Sequence, residues 1–217
     1  MQKPARERIL DAAHELMRTI GLARTTTKEI AKAAGCSEAA LYKHFASKEE
    51  LFVGVLKERL PQLAPLIHRL VAEPGERSVE ENLVEITHAA ALFYEQSFPI
   101  AASLYAETQL RNRHVAALRE MGTGPHMPIM GLYEYLKAEQ QAGRIAPEAD
   151  TFAAASLLLG ACAQRAFAYD EDGPQPPPPV QGFATALVRT LLQGIELQGI
   201  ELHGVEPQGI EPKPDGR

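Results

Sequence analysis

The side chains that could ligate a metal or move a proton are seven histidines, two cysteines and 28 Asp/Glu. Their spacing argues against such chemistry. The histidines at 14, 44, 68, 88, 114, 126 and 203 contain no His-x-x-x-His pair, and no Cys-x-x-Cys exists. A structural zinc site is therefore not expected. Cys36 and Cys162 cannot make a disulfide framework and read as small buried hydrophobes in a reducing compartment. Gly122-Thr123-Gly124 lacks the third glycine and the preceding strand of a dinucleotide fingerprint. No phosphate-binding Gly-x-x-x-x-Gly-Lys-Ser/Thr and no Gly-x-Ser-x-Gly elbow is present. Carboxylate pairs such as Glu80-Glu81 fit a solvated helix face. An enzyme with a helical core stands far behind, and neither a metal nor a cofactor is expected. What remains is chemistry without covalent steps: recognition.

The informative segment is 26–45. Thr26-Thr27-Lys28-Glu29 has the pattern of a capping box, with Thr26 as N-cap and Glu29 at N3. Gly35 supplies a residue that tolerates positive φ in a turn. Ser37 can cap a third helix running to about Phe45. Together these predict a helix-turn-helix. Ala31 is small where the helices would cross, and Ile30, Ala34, Leu41 and Phe45 can fill the core. Ser37, Glu38, Ala39, Ala40, Tyr42, Lys43 and His44 are left for the outer face. Small residues first and polar ones later suit a helix lying in a major groove. The plain alternative is a surface helix of an all-helical protein. For Glu38 two roles stay open: accepting a hydrogen bond from cytosine N4, or simply capping and facing solvent.

The run Thr25-Thr26-Thr27-Lys28-Glu29-Ile30-Ala31-Lys32-Ala33-Ala34-Gly35-Cys36-Ser37-Glu38-Ala39-Ala40-Leu41-Tyr42-Lys43-His44-Phe45-Ala46-Ser47-Lys48-Glu49-Glu50-Leu51 resembles the signature of TetR-family transcriptional regulators. The resemblance covers about the first 55 residues. It implies a homodimer with an N-terminal three-helix DNA-binding domain. It also implies a C-terminal ligand-binding and dimerisation domain whose last two long helices pair across a two-fold. By position, Tyr42, Lys43 and His44 match the stretch that grips the DNA backbone. Thr26 and Thr27 match the phosphate-facing start of the second helix, and Lys48 matches a phosphate contact at the N-terminus of the fourth. Glu38-Ala39-Ala40 stands where a common pattern has Lys-Gly-Thr, which removes one base donor.

These residues need helices to carry them, and the 217-residue chain reads as helix almost throughout. Ile9, Leu10, Ala13, Leu16, Met17 and Ile20 form one helical face ending at Gly21. Ser47-Lys48-Glu49-Glu50 reads as a second capping box and opens a fourth helix, which Pro61 should kink or stop. Beyond Glu73-Pro74-Gly75, helices are predicted over 78–96, 99–121, 126–142 and 148–169, and a last one from Val180 to Leu192. The expected fold is all-α, with a helix-turn-helix domain at 1–50 and a helical ligand-binding and dimerisation domain at 51–193. Residues 194–217 carry four Gly-containing pentads and read as a low-complexity, disordered tail. The net charge of −6 hides an asymmetry: residues 1–50 hold nine Lys/Arg against seven Asp/Glu, and the rest is acidic. That sign suits a head that meets phosphates. There is no apolar leader, and the apolar stretch near Ala153–Ala163 is too short for a bilayer, so a cytoplasmic protein is expected.

In the body, isolated polar and aromatic side chains sit among apolar neighbours. His88, Phe93, Tyr105, Gln109, Met127, Met130, Tyr133 and Arg165 are the candidates for an effector site; each also suits a satisfied core or dimer-interface position. The expected function is a dimeric repressor released from a palindromic operator by a small, mostly apolar ligand. The alternative is a DNA-bound architectural or cell-cycle factor of the same fold, controlled by a protein partner. The partners expected are double-stranded DNA, a second copy and a small effector, with no membrane. Operator, regulated genes, effector identity and sign of regulation are not encoded in these patterns.

Overall fold

The computed structural model describes residues 3–73, 76–105, 108–169 and 176–194. The expectation for the pentad tail from Ile195 onward lies outside the described residues. Within them the chain is all-helical, with ten helices: α1 (Ala5–Arg24), α2 (Thr27–Ala33), α3 (Glu38–Leu41), α4 (Lys48–Glu58), α5 (Leu63–Ala72), α6 (Val79–Tyr105), α7 (Thr108–Glu120), α8 (Met127–Gln141), α9 (Thr151–Ala168) and α10 (Val180–Gln193).

Two apolar cores organise them. In the head, the α1 stripe Ile9, Leu10, Ala13 and Met17 is fully buried against Ile30, Ala31, Leu41, Phe45, Leu51, Phe52 and Val55. The body core joins Leu63, Ile67 and Leu70 of α5 to Leu83, Ile86, Ala90 and Ala91 of α6. It continues through Leu132, Tyr135 and Leu136 of α8, Leu158, Leu159 and Cys162 of α9, and Val188 of α10. Truncating one such leucine to alanine costs about 2–5 kcal/mol. Gly21 takes φ 78°, a left-handed value, and breaks the helical path of α1 one turn before its end.

Four features differ from the sequence expectation, the first being that the helix expected over 99–121 is divided between α6 and α7. The break expected before Pro99 is absent: α6 runs 27 residues with Pro99 inside it. Packing on both sides, Ala90 and Ala91 before and Ile100 and Leu104 after, holds the helix across a residue that propensity alone would make a terminus. Helix α3 is one turn, ending at Leu41, and Tyr42 to His44 follow as turn. Helix α5 was not foreseen. Its apolar residues Leu63, Ile67 and Leu70 have helical spacing, but the flanking Pro61 and internal Pro65 masked it; Pro65 sits in the first turn, where proline is tolerated. Helix α9 spans 18 residues and by length and composition alone could cross a bilayer. Here its inward face is body core, and it carries the buried Arg165.

Helix α6 links the two cores, because Ile100 and Leu104 belong to the head cluster. Helix α7 then returns against α4. There His114 is buried with its ring edge-on to Phe52, centroids 5.0 Å apart. Leu22, Lys48, Glu49, Leu104 and His114 line a small, partly open pocket of about 10 Å³, roughly the space of one water. Burial holds the His114 imidazole below its ordinary value of 6.5; Lys48 adds to that shift and Glu49 opposes it. Burial likewise lowers His14. A base with a depressed folded pKa stays neutral in the fold while the unfolded chain takes up a proton. Stability is therefore complete above about pH 6.5 and is lost as pH falls from there toward the folded pKa. Melting temperatures between pH 7 and 5 should fall for the wild type and fall less steeply for His114→Gln; equal slopes would remove His114 as a contributor.

Candidate nucleic-acid interface

The head surface is built from the starts of α2, α3 and α4. Thr26 is the N-cap of α2 with a reciprocal box: its hydroxyl accepts from the Glu29 N–H at 3.2 Å, and the Thr26 N–H donates to Glu29 Oε2 at 3.0 Å. The Thr26 hydroxyl also donates to Glu29 Oε2 at 2.7 Å. These bonds hold the Glu29 carboxyl below its ordinary range. Gly35, at φ +66°, makes the turn, with nothing near where a Cβ would stand. Its strain-free turn lets Ser37 begin α3, and the Ser37 hydroxyl accepts from the Ala40 N–H at 3.1 Å. Ser47 caps α4 in the same way, accepting from the Glu50 N–H at 3.0 Å. The Glu50 carboxylate reaches back one residue further than a reciprocal box requires, to the Ala46 N–H.

Ser37, Glu38, Ala39, Tyr42, Lys43 and His44 are exposed, and Ala40 is half-buried. The structure thus brings together the outer face expected for α3. Thr27 joins it through its hydroxyl, which donates to Glu38 Oε1 at 2.5 Å and lies 3.3 Å from the Tyr42 hydroxyl. Lys48 differs from a freely extended phosphate contact. It is half-buried, with Nζ 3.5 Å from the Ala23 carbonyl, at the limit of a hydrogen bond. Burial lowers its pKa; Glu49 and Glu29 oppose that and Arg113 reinforces it.

Sequence spacing did not reveal what clamps this surface to α1. Arg59 bridges Glu7 and Asp11 of α1, the latter at 2.8 Å, and Arg6 grips Glu58 through both guanidinium nitrogens at 2.6 and 2.7 Å. Arg8 Nε donates to the Ala34 carbonyl at 3.0 Å, closing α1 on the turn. These partners are 26 to 52 residues apart, so no local pattern announces them.

The family described as bacterial regulatory proteins, tetR family, matches residues 9–55. The HTH-type transcriptional regulator UidR of Escherichia coli (strain K12) is 31% identical over 159 residues, 72% of this chain and 77% of that protein. The chain belongs to the TetR family of transcriptional regulators. The nucleoid occlusion factor SlmA of Vibrio campbellii is 36% identical over 93 residues, 42% of this chain and 46% of that protein. The transcriptional regulator FadR of Bacillus subtilis, solved in complex with stearoyl-CoA, superposes with a TM-score of 0.61 at 18% identity, over 88% of this chain and 99% of that one. The TetR fold thus extends through the body as well as the head.

The eight effector candidates of this TetR-family chain are dispersed. Tyr105, 66% exposed, ends α6 beside the head, and Gln109 is exposed on α7. Met127 and Met130 are exposed on α8, and Tyr133 is half-buried between Lys137 and Phe152. His88 and Phe93 are half-buried on α6. Arg165 is buried: it pairs with Glu95, donates to the Pro178 carbonyl at 2.7 Å and lies over the Phe183 ring. It ties α6, α9 and the entry to α10 together rather than standing open to a ligand. Helical spacing had placed these residues among apolar neighbours, but it does not say which face turns outward. None of the eight lines the pocket at His114.

Removing the α2 cap tests the local construction of this surface. Thr26→Ala should lower stability by about 0.5–2 kcal/mol, seen as a reduced urea midpoint with an unchanged slope. An unchanged midpoint would mean that tertiary packing alone holds α2 in place.

Proposed function

We propose that this protein is a dimeric repressor that leaves a palindromic operator when a small, mostly apolar ligand binds its body. One observation carries the DNA half of the reading. The one-turn helix α3 is small and exposed at Ala39, and the turn that follows it exposes Tyr42, Lys43 and His44, so the helix can enter a groove while the turn reaches phosphates. The exposed faces of α9 and α10 support the dimer. Leu157 is 63% exposed and Phe167 73%, and Gly160, Gly182 and Ala186 leave room for close helix approach. Isologous pairing of both helices would bury these positions. Likeness to UidR supports transcriptional control, and the FadR solved with stearoyl-CoA, which shares this fold, supports a ligand with a long apolar chain. The chain acts by binding, with no covalent step.

A second reading keeps the head and replaces the ligand by a protein partner. The dispersal of the effector candidates favours it, as does the likeness over 93 residues to the nucleoid occlusion factor SlmA. The effector decides between them. A ligand that induces must bind the released state better by about 1–3 kcal/mol, roughly 5–150-fold in operator affinity.

The test is a gel-shift titration on a site selected by the purified chain. Lys43→Ala should weaken binding to all sequences and reduce the salt slope by about one unit. Ala40→Asp should abolish binding, because a carboxylate would face bases and phosphates. Apolar compounds that raise the melting temperature should lower operator affinity. Normal binding by both variants would defeat the DNA assignment; stabilising compounds that leave affinity unchanged would defeat induction.

A further inference from the structure

We propose that Glu38 is a specificity-determining residue that reads cytosine, held in its reading position by Thr27; this rests on the DNA-binding reading above. The sequence left two roles open for Glu38, and the structure decides one part of the question. Glu38 is not the cap of α3, because Ser37 fills that place with its own hydroxyl on the Ala40 N–H. The Glu38 carboxylate instead leaves its own helix and crosses to α2. Its Oε1 accepts from the Thr27 hydroxyl at 2.5 Å, and that hydroxyl lies 3.3 Å from the Tyr42 hydroxyl. The bond spans 11 residues and fixes a side chain that an exposed glutamate would normally leave free. Among the described residues no Lys, Arg or His nitrogen lies within ion-pair distance of the carboxylate. Thr27 holds Oε1, which leaves Oε2 without a hydrogen-bond partner among the described residues.

A fixed, unneutralised carboxylate on a groove-facing helix is costly wherever DNA offers it only acceptors. Guanine presents N7 and O6 in the major groove, and thymine presents O4 and a methyl group. Both leave the carboxylate desolvated and unpaired. Adenine has a donor at N6, but its N7 acceptor lies beside it. Cytosine alone presents only a donor, its N4 amino group, on its own major-groove edge. The same charge that weakens general affinity for phosphates therefore raises discrimination at one base pair. The Thr27 tether makes this reading sharp, because an untethered glutamate could swing away from a wrong base into solvent. The Thr27 hydroxyl, matched by family resemblance to a phosphate contact, serves here as a positioning group for Glu38.

The experiment is selection and sequencing of random duplexes by the full chain, with wild type, Glu38→Gln, Glu38→Ala, Thr27→Val and Thr27→Ser in parallel. Wild type should select cytosine at one position of each half-site, with other bases there binding roughly 5–150-fold more weakly. Glu38→Gln should move that single position toward adenine, since an amide can meet both N6 and N7. Glu38→Ala should leave the position unspecified. Thr27→Val should broaden it while the rest of the motif stays intact, and Thr27→Ser should restore it. If wild type yields a palindrome and both Glu38 variants select the same bases at every position, the inference is overturned while the DNA-binding reading stands. A cytosine preference as sharp in Thr27→Val as in wild type would overturn the positioning role. Failure of wild type to enrich any sequence would overturn both readings.

Discussion

One helix holds the molecule together. Helix α6 puts Leu83, Ile86, Ala90 and Ala91 into the body core and Ile100 and Leu104 into the head core, so neither core is complete without it. Pro99 lies between the two sets, where it removes one backbone donor from the helix ladder. Apolar burial on both sides outweighs that loss and keeps the helix continuous. The head is thereby fixed to the body by packing rather than by a linker. Ile100 and Leu104 are where α6 of the body packs into the head core with the α1 face that carries α2, α3 and α4.

The head is specified at several levels that agree. Caps at Thr26, Ser37 and Ser47 start its helices, α1 fills its core, and arginine clamps from Arg6, Arg8 and Arg59 lock α1 to the α2–α3 turn and to α4. Single surface ion pairs contribute about 0–1 kcal/mol, but Arg6 and Arg59 act on neighbouring residues of the same two helices and set their angle. The polar outer face is then free to serve recognition. On that face the hydroxyl of Thr27 and the carboxylate of Glu38 are bound to each other, so part of the surface is organised before any DNA arrives.

Much of this was legible in the sequence because it rests on local rules. The Thr26–Glu29 box, the Gly35 turn and the apolar stripe of α1 are short-range patterns with a physical cause, and the structure holds each of them. The break expected between 96 and 99 is absent because the two cores that flank Pro99 offset a proline's local cost. Helix α5 was hidden by Pro61 and Pro65, although Leu63, Ile67 and Leu70 carry the right period. The Thr27–Glu38 bond and the arginine clamps depend on how helices face one another, which spacing along the chain does not encode. The effector candidates failed to gather for the same reason. A helical period separates faces without saying which face meets a neighbour, so Tyr105 fell outside and Arg165 was consumed by Glu95 and the start of α10.

Each head is joined to its body by packing through α6, so that the proposed dimer would present two α3 helices at one fixed separation. The direct measurement is affinity for the selected palindrome with its spacer lengthened by about five base pairs, half a helical turn. Rigid heads predict that binding drops to the level of unrelated DNA, because the second half-site has rotated to the opposite side of the duplex. Binding as tight as to the original site would show that the heads move independently and would contradict the role assigned to α6.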